Sequence, residues 1–227
     1  MKALLYKEFK LAMHPICYVF LFAFPFMVLI PSYPLGIGFI YVLSCYPILF
    51  LGANKGQQSN DLLYSTLLPV RKKDIVLARI ITVVILQVIF MTLMSLLWPL
   101  AYFFQQSILT SGGNDTAYQV GLGLNSFVSL LAFGVIAFAL ADLMFFPIYY
   151  RNGKSIVLST LLTILVFALF IAITTIILPY IPEYGDFFNE CPLWLQFVFL
   201  IGSILISFVL HIAVYKVSAK KLELVDF

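Results

Sequence analysis

Apolar residues dominate this chain in long uninterrupted blocks, and polar residues gather in the short stretches between them. A helix needs about 20 predominantly apolar residues to cross the hydrocarbon core of a bilayer. Six segments meet or approach that length, at roughly 15 to 33, 35 to 53, 75 to 104, 121 to 147, 156 to 180 and 193 to 215. All six are predicted as helices, because strands of this number and length close no barrel and hydrocarbon leaves no backbone group unpaired. The first two are joined only by the Tyr33, Pro34, Leu35, Gly36 turn, which predicts an antiparallel hairpin. Pro25, Pro47 and Pro99 fall inside spans and predict kinks. The predicted fold is an all-α integral membrane protein: a single transmembrane domain over 1–227, with an N-terminal surface helix at 1–14 and a cytoplasmic tail at 216–227.

Charge placement tests this span count. With both termini in the cytoplasm, all 13 basic residues fall on the inner side: Lys2, Lys7 and Lys10; Lys55, Arg71, Lys72, Lys73 and Arg79; Arg151 and Lys154; Lys216, Lys220 and Lys221. The outer loops hold Asp115, Glu183, Asp186 and Glu190. This is the positive-inside pattern of a multi-pass protein of the cell membrane, and one span more or fewer would put basic loops on both sides. Arg79 lies just over a turn inside the third span, where it can snorkel back to the headgroups.

Composition agrees with the spacing. The hydrophobic share is 63% and the charged share 10%, against about half and about a quarter in soluble domains. Net charge is only +3 with no basic face interleaved with aromatics, which excludes nucleic acid as a partner. Cys17, Cys45 and Cys191 lack ligand spacing and read as small buried hydrophobes, with no metal site. The N-terminal segment carries Glu8 and no small-residue cleavage site follows its apolar run, so it reads as mature sequence. There, helical spacing sets Leu5, Phe9 and Ala12 on one face with Lys7 and Lys10 roughly opposite, as in an amphipathic helix lying on the inner leaflet and its lipid.

The stretch after the second span is the most informative. Ser59 or Asn60 can cap a short helix, Asp61 suits its first turn and Pro69 ends it. Leu63 and Leu67 lie one turn apart, as do Tyr64 and Leu68, with Leu62 beside them, so the helix offers apolar surface outside the membrane and wants a partner. Arg71, Lys72 and Lys73 follow as topology-setting charges, and Asp74 can cap the third span.

The run LLPVRKKDIVLARI, from Leu67 to Ile80, resembles the first cytoplasmic loop of type II ABC exporter permeases, where a short helix ends in a Leu-Pro-Val turn followed by basic residues. FFPIYYRNGKS, from Phe145 to Ser155, is similar to the loop between the fourth and fifth spans in the bacterial branch of that family. The layout of six spans after a surface helix matches as well, and the nearest likeness is to permeases that export amphipathic peptides such as phenol-soluble modulins or antimicrobial peptides. The resemblance implies a half-transporter in which this chain and a second copy, or a related permease, form the pore. A separate cytoplasmic ABC ATPase would drive it, and Asn60, Asp61, Leu62, Leu63, Tyr64, Leu67, Leu68 and Pro69 would couple to that subunit. The sequence carries no G-x-x-x-x-G-K-[ST] phosphate loop, so it holds no cofactor of its own, and ATP and Mg would belong to the partner.

Within the spans, Asp142 is costly unless paired, neutral or wet, and a basic or polar neighbour near the inner interface is its expected contact. Gln87, Thr92, Ser95, Asn125 and Ser126 are expected to hydrogen-bond between helices, with Gln87, Asn125 and Asp142 as the candidates for a pore. Gly121, Gly123 and Gly134 permit close helix approach. His14 and His211 lie apart from each other and from any nucleophile pattern and read as non-catalytic, and the outer segment from Ile181 to Trp194 suits a short interfacial or reentrant cap. The competing classes are a secondary transporter or channel, which needs ion-coupling groups at mid-membrane, and an intramembrane hydrolase, for which no GxSxG, HExxH or paired-acid motif is present.

Overall fold

The structure is a computed structural model that describes residues 2–12, 15–29, 70–112, 127–152, 156–178, 181, 183, 184, 187 and 190–224. Among these residues it is all-helical. In chain order, α1 is Lys2–Lys7 with a π-helical continuation at Glu8–Ala12, and α2 is Pro15–Ala23 continuing as a 3-10 helix over Phe24–Leu29. Then follow α3 at Lys72–Gly112 and α4 at Phe127–Asn152. Last come α5 at Ile156–Ile171 with a π-helical end at Ala172–Ile177, and α6 at Leu193–Glu223. Four described helices are long and apolar enough to cross a membrane, over Lys72–Phe104, Phe127–Arg151, Val157–Thr174 and Leu193–Glu223, and a shorter apolar helix covers Cys17–Phe26. The span expected at 35 to 53, the Tyr33 to Gly36 turn and Pro47 lie outside the described residues.

Helix α4 sits at the centre, packed chiefly on α6 and α5, while α3 packs on α6 and on the Phe24–Leu29 turn. Side-chain size explains the close α4 and α6 contact. Gly134, Ala137 and Ala141 lie at helical spacing on α4 and are buried, and Ser203, Val214, Ser218 and Ala219 are buried positions of modest size on α6. Larger side chains fill the wider gap between α3 and α4. Phe90 meets Phe138 edge to face at 6.3 Å, and Trp98 stacks on Phe127 at 4.2 Å beside the N-terminal end of α4. Trp98→Ala should therefore lower stability by about 1–3 kcal/mol, the sum of lost stacking and lost burial; a thermal melt of the purified protein checks it. A Cβ added at Gly202 would meet nothing within 4 Å. Gly202→Ala is accordingly expected to be neutral or to stabilise by up to about 1 kcal/mol in the same melt.

The outward faces are apolar. Ile201, Leu205, Phe208 and Val209 of α6, and Val157, Leu161, Leu165 and Leu169 of α5, are each more than half exposed, as lipid-facing side chains should be.

Several boundaries differ from the sequence expectation. The fourth span was expected to end at 147, yet α4 continues to Asn152 with Pro147 inside it. Phe145 stacks on Tyr149 and Phe146 on Tyr150, pairs one turn apart that hold the helix together where proline removes a backbone bond. FFPIYY is therefore buried helix, not loop. The helix that begins at Leu193 runs without a break to Glu223, so the tail expected at 216–227 starts as its continuation. Pro25 appears as a change to 3-10 winding at Phe24, whereas α3 passes through Pro99 without ending.

The N-terminal segment also differs from a simple surface helix. Leu4, Lys7 and Glu8 are its buried positions, while Tyr6 is exposed and Leu5 and Phe9 are only partly covered. Its buried side faces α3, because an ion pair described below outweighs the apolar stripe.

Candidate functional site

The expected docking helix, Asn60 through Pro69, lies outside the described residues, as do Asn125, Ser126, Gly121, Gly123 and His14. The chain is described again from Val70. The Arg71 carbonyl accepts the first turn of α3 from the Asp74 and Ile75 amides, at 2.9 and 3.4 Å.

Two polar clusters tie α3 to its neighbours. The inner one is built on Arg79, only 2% exposed. Its Nε and Nη2 donate to the two Glu8 carboxylate oxygens at 3.0 and 3.2 Å, and its Nη1 donates to the Tyr149 hydroxyl at 3.3 Å. The fork geometry of a guanidinium matches a carboxylate in this way, and it orients α1 against α3 and α4 together. Lys7 Nζ stands 3.9 Å from the same carboxylate. The expectation that Arg79 snorkels to the headgroups is corrected: a carboxylate brought down by α1 satisfies it where it lies, so the side chain need not reach water.

The second cluster lies deeper. Gln87 Nε2 on α3 donates to Asp142 Oδ2 on α4 at 2.9 Å, and His211 Nε2 on α6 stands 3.0 Å from the same oxygen. His211 Nδ1 is 2.7 Å from the Ser207 carbonyl oxygen, which can only accept, so Nδ1 carries a proton. One further proton must then occupy the line between Nε2 and Oδ2. Whether it sits on the imidazole or on the carboxyl, the pair has no net charge. That resolves the cost of a fully buried acid within a span.

Gln87 and Asp142 are therefore brought together by an interhelical bond, as expected, and Asp142 has both a polar and a basic neighbour. Thr92 and Ser95 behave differently from expectation. Their hydroxyls donate to the Val88 and Met91 carbonyls of their own helix, at 2.8 and 2.9 Å, because a carbonyl four residues back is always within reach. The His211 contact with Asp142 was not anticipated from the sequence. Two ionisable groups at comparable distances from the ends of expected spans were the available signal that they pair.

Gln87 and His211 also contribute to the wall of a cleft of about 680 Å³ between α3, α4 and α6. Among the described residues, no group of His, Cys, Asp and Glu could hold a metal ion.

A family model described as ABC-2 family transporter protein matches residues 3–223, nearly the whole chain. No curated protein and no solved structure matches it.

Proposed function

The chain belongs to the ABC-2 family of transporter proteins and is thus the membrane permease subunit of an ABC transporter, and from that premise we propose that it is the pore-forming half of an ATP-driven exporter of peptides or similar amphipathic compounds. In this reading the described helices and the segment at 35 to 53 make six spans with both termini in the cytoplasm, and two permease chains enclose the pathway. The placement of every basic residue on one side supports the topology.

The observation that carries the reading is the family match across 3–223. The route for energy follows from the chain. An ATPase gripping Leu63, Tyr64, Leu67 and Leu68 would move the first turn of α3 through Val70 and Arg71. The Arg79 cluster would carry that motion to α1 and α4, and the Gln87, Asp142 and His211 cluster to α6. A chain of packed helices and buried bonds transmits force because it has few ways to deform.

The test is to place charge on the docking surface. Leu63→Glu with Leu67→Glu should reduce recovery of the ATPase subunit with the permease by at least about tenfold, since a desolvated unpaired carboxylate in an interface costs more than the roughly 1.4 kcal/mol that a tenfold change requires. Unchanged recovery and unchanged ATP hydrolysis would reject this surface. The Asp142 and His211 pair is the one feature that favours a secondary transporter driven by protons. Transport in ATP-free vesicles under a proton gradient would support that reading instead.

A further inference from the structure

The cleft between α3, α4 and α6 runs from Leu77 to Ser95 along α3 and from Leu200 to Tyr215 along α6. At 1.5 Å per residue the α3 wall is about 27 Å long, close to the hydrocarbon thickness of about 30 Å. Spread over that length, the cleft's volume of about 680 Å³ leaves room for an extended chain.

The chemistry of the walls narrows the occupant further. Ile81, Val88, Val135, Phe138, Ile204 and Phe208 make the surface apolar along its length. The polar side chains Gln87, Thr92, Ser95, Ser207, His211 and Tyr215 also reach it, and the first five make hydrogen bonds within the protein. A polar ligand lying against this wall would have to break those bonds, whereas a hydrocarbon chain would leave them intact.

The inner mouth supplies a charged rim. Lys73 lies one turn before Leu77 on the same face of α3, and Lys216 and Lys220 lie one and two turns beyond Ile212 on α6. Lys216 and Lys220 are exposed, and Lys73 and Glu223 are about half exposed and pair at 3.2 Å across the mouth. Three lysines against one glutamate give the rim a positive balance at the depth of the inner headgroups.

We propose that this cleft is a binding site for one anionic phospholipid of the inner leaflet, with an acyl chain along the α3 and α6 walls and the phosphate at Lys73, Lys216 and Lys220. This inference does not depend on which cargo is transported. Because bilayer tails are as apolar as the cleft, selectivity must come from the shape of the groove and from the lysine rim. A bound chain would also keep water from the Asp142 and His211 bond.

The test uses the full chain purified in a mild neutral detergent, with phosphatidylglycerol or phosphatidylcholine added and retained lipid counted by native mass spectrometry. The wild type should keep one phosphatidylglycerol per permease in preference to phosphatidylcholine. Val88→Trp, which fills the groove from an exposed wall position, should lower retention of both lipids. Lys73→Gln with Lys216→Gln should lower phosphatidylglycerol retention about tenfold and leave phosphatidylcholine unchanged. A wild type that retains neither lipid, or Val88→Trp with undiminished retention, would overturn the proposal. So would a disulfide formed between two copies of Val88→Cys, which would make the cleft an interface between permeases.

Discussion

Arg79→Ala should cost the protein about 3–5 kcal/mol, the range found when one partner of a buried ion pair is removed and the other is left uncompensated. Burial sets the size of this loss. Arg79 and Glu8 are 2% and 4% exposed, and the guanidinium is engaged by both carboxylate oxygens and by Tyr149. Without Arg79, the ion pair left to the Glu8 carboxylate among the described residues is with Lys7 at 3.9 Å. Chemical unfolding in detergent measures the loss. Glu8→Leu should be similarly damaging, because it strands the guanidinium. The double replacement Arg79→Leu with Glu8→Leu should recover most of the stability, since apolar residues of similar volume often replace a buried pair without loss. If the double variant were as unstable as the sum of the single ones, the pair would not be the source of the effect.

The second large effect is at Asp142. Asp142→Ala leaves Gln87 and His211 without their common acceptor inside a span, at about 1–3 kcal/mol for each stranded group. Asp142→Asn should fall between wild type and Asp142→Ala. Gln87 and His211 both meet Oδ2, so asparagine presents there either an oxygen that accepts from Gln87 or an amide that donates to His211 Nε2, and serves one of these two contacts at a time. Thermal melts should therefore rank wild type above Asp142→Asn and Asp142→Asn above Asp142→Ala. An asparagine variant as stable as the wild type would show that the contacts converging on Oδ2 do not hold α4 to α3 and α6.

These two clusters mark where reading the sequence stops. The spans centred near 90, 135, 165 and 205 were legible because about 20 apolar residues in a row have few other uses. Their ends were less so. Phe145, Phe146, Tyr149 and Tyr150 carry the helix five residues beyond the expected end at 147, and composition alone does not reveal that aromatic ladder. Partners distant in sequence were the hardest. Glu8 and Arg79 are 71 residues apart and Asp142 and His211 are 69 apart, and nothing local fixes which helix faces which. Arg79 near an interface looks like a snorkelling residue until a carboxylate is placed beside it. Gln87 and Asp142 could be singled out from the expense of polar groups in hydrocarbon, but the third member, His211, needed the register of α6. Thr92 and Ser95 illustrate the opposite error, since hydroxyls on helices satisfy themselves locally before they reach for a neighbour.

The most direct test of the account is to purify the tagged full-length chain from its native membrane in mild detergent and identify what accompanies it. The account predicts a nucleotide-binding ATPase subunit in stoichiometric amount, with ATP hydrolysis by the complex and none by the isolated chain. A chain that purifies without such a subunit and moves its cargo in vesicles lacking ATP would contradict it.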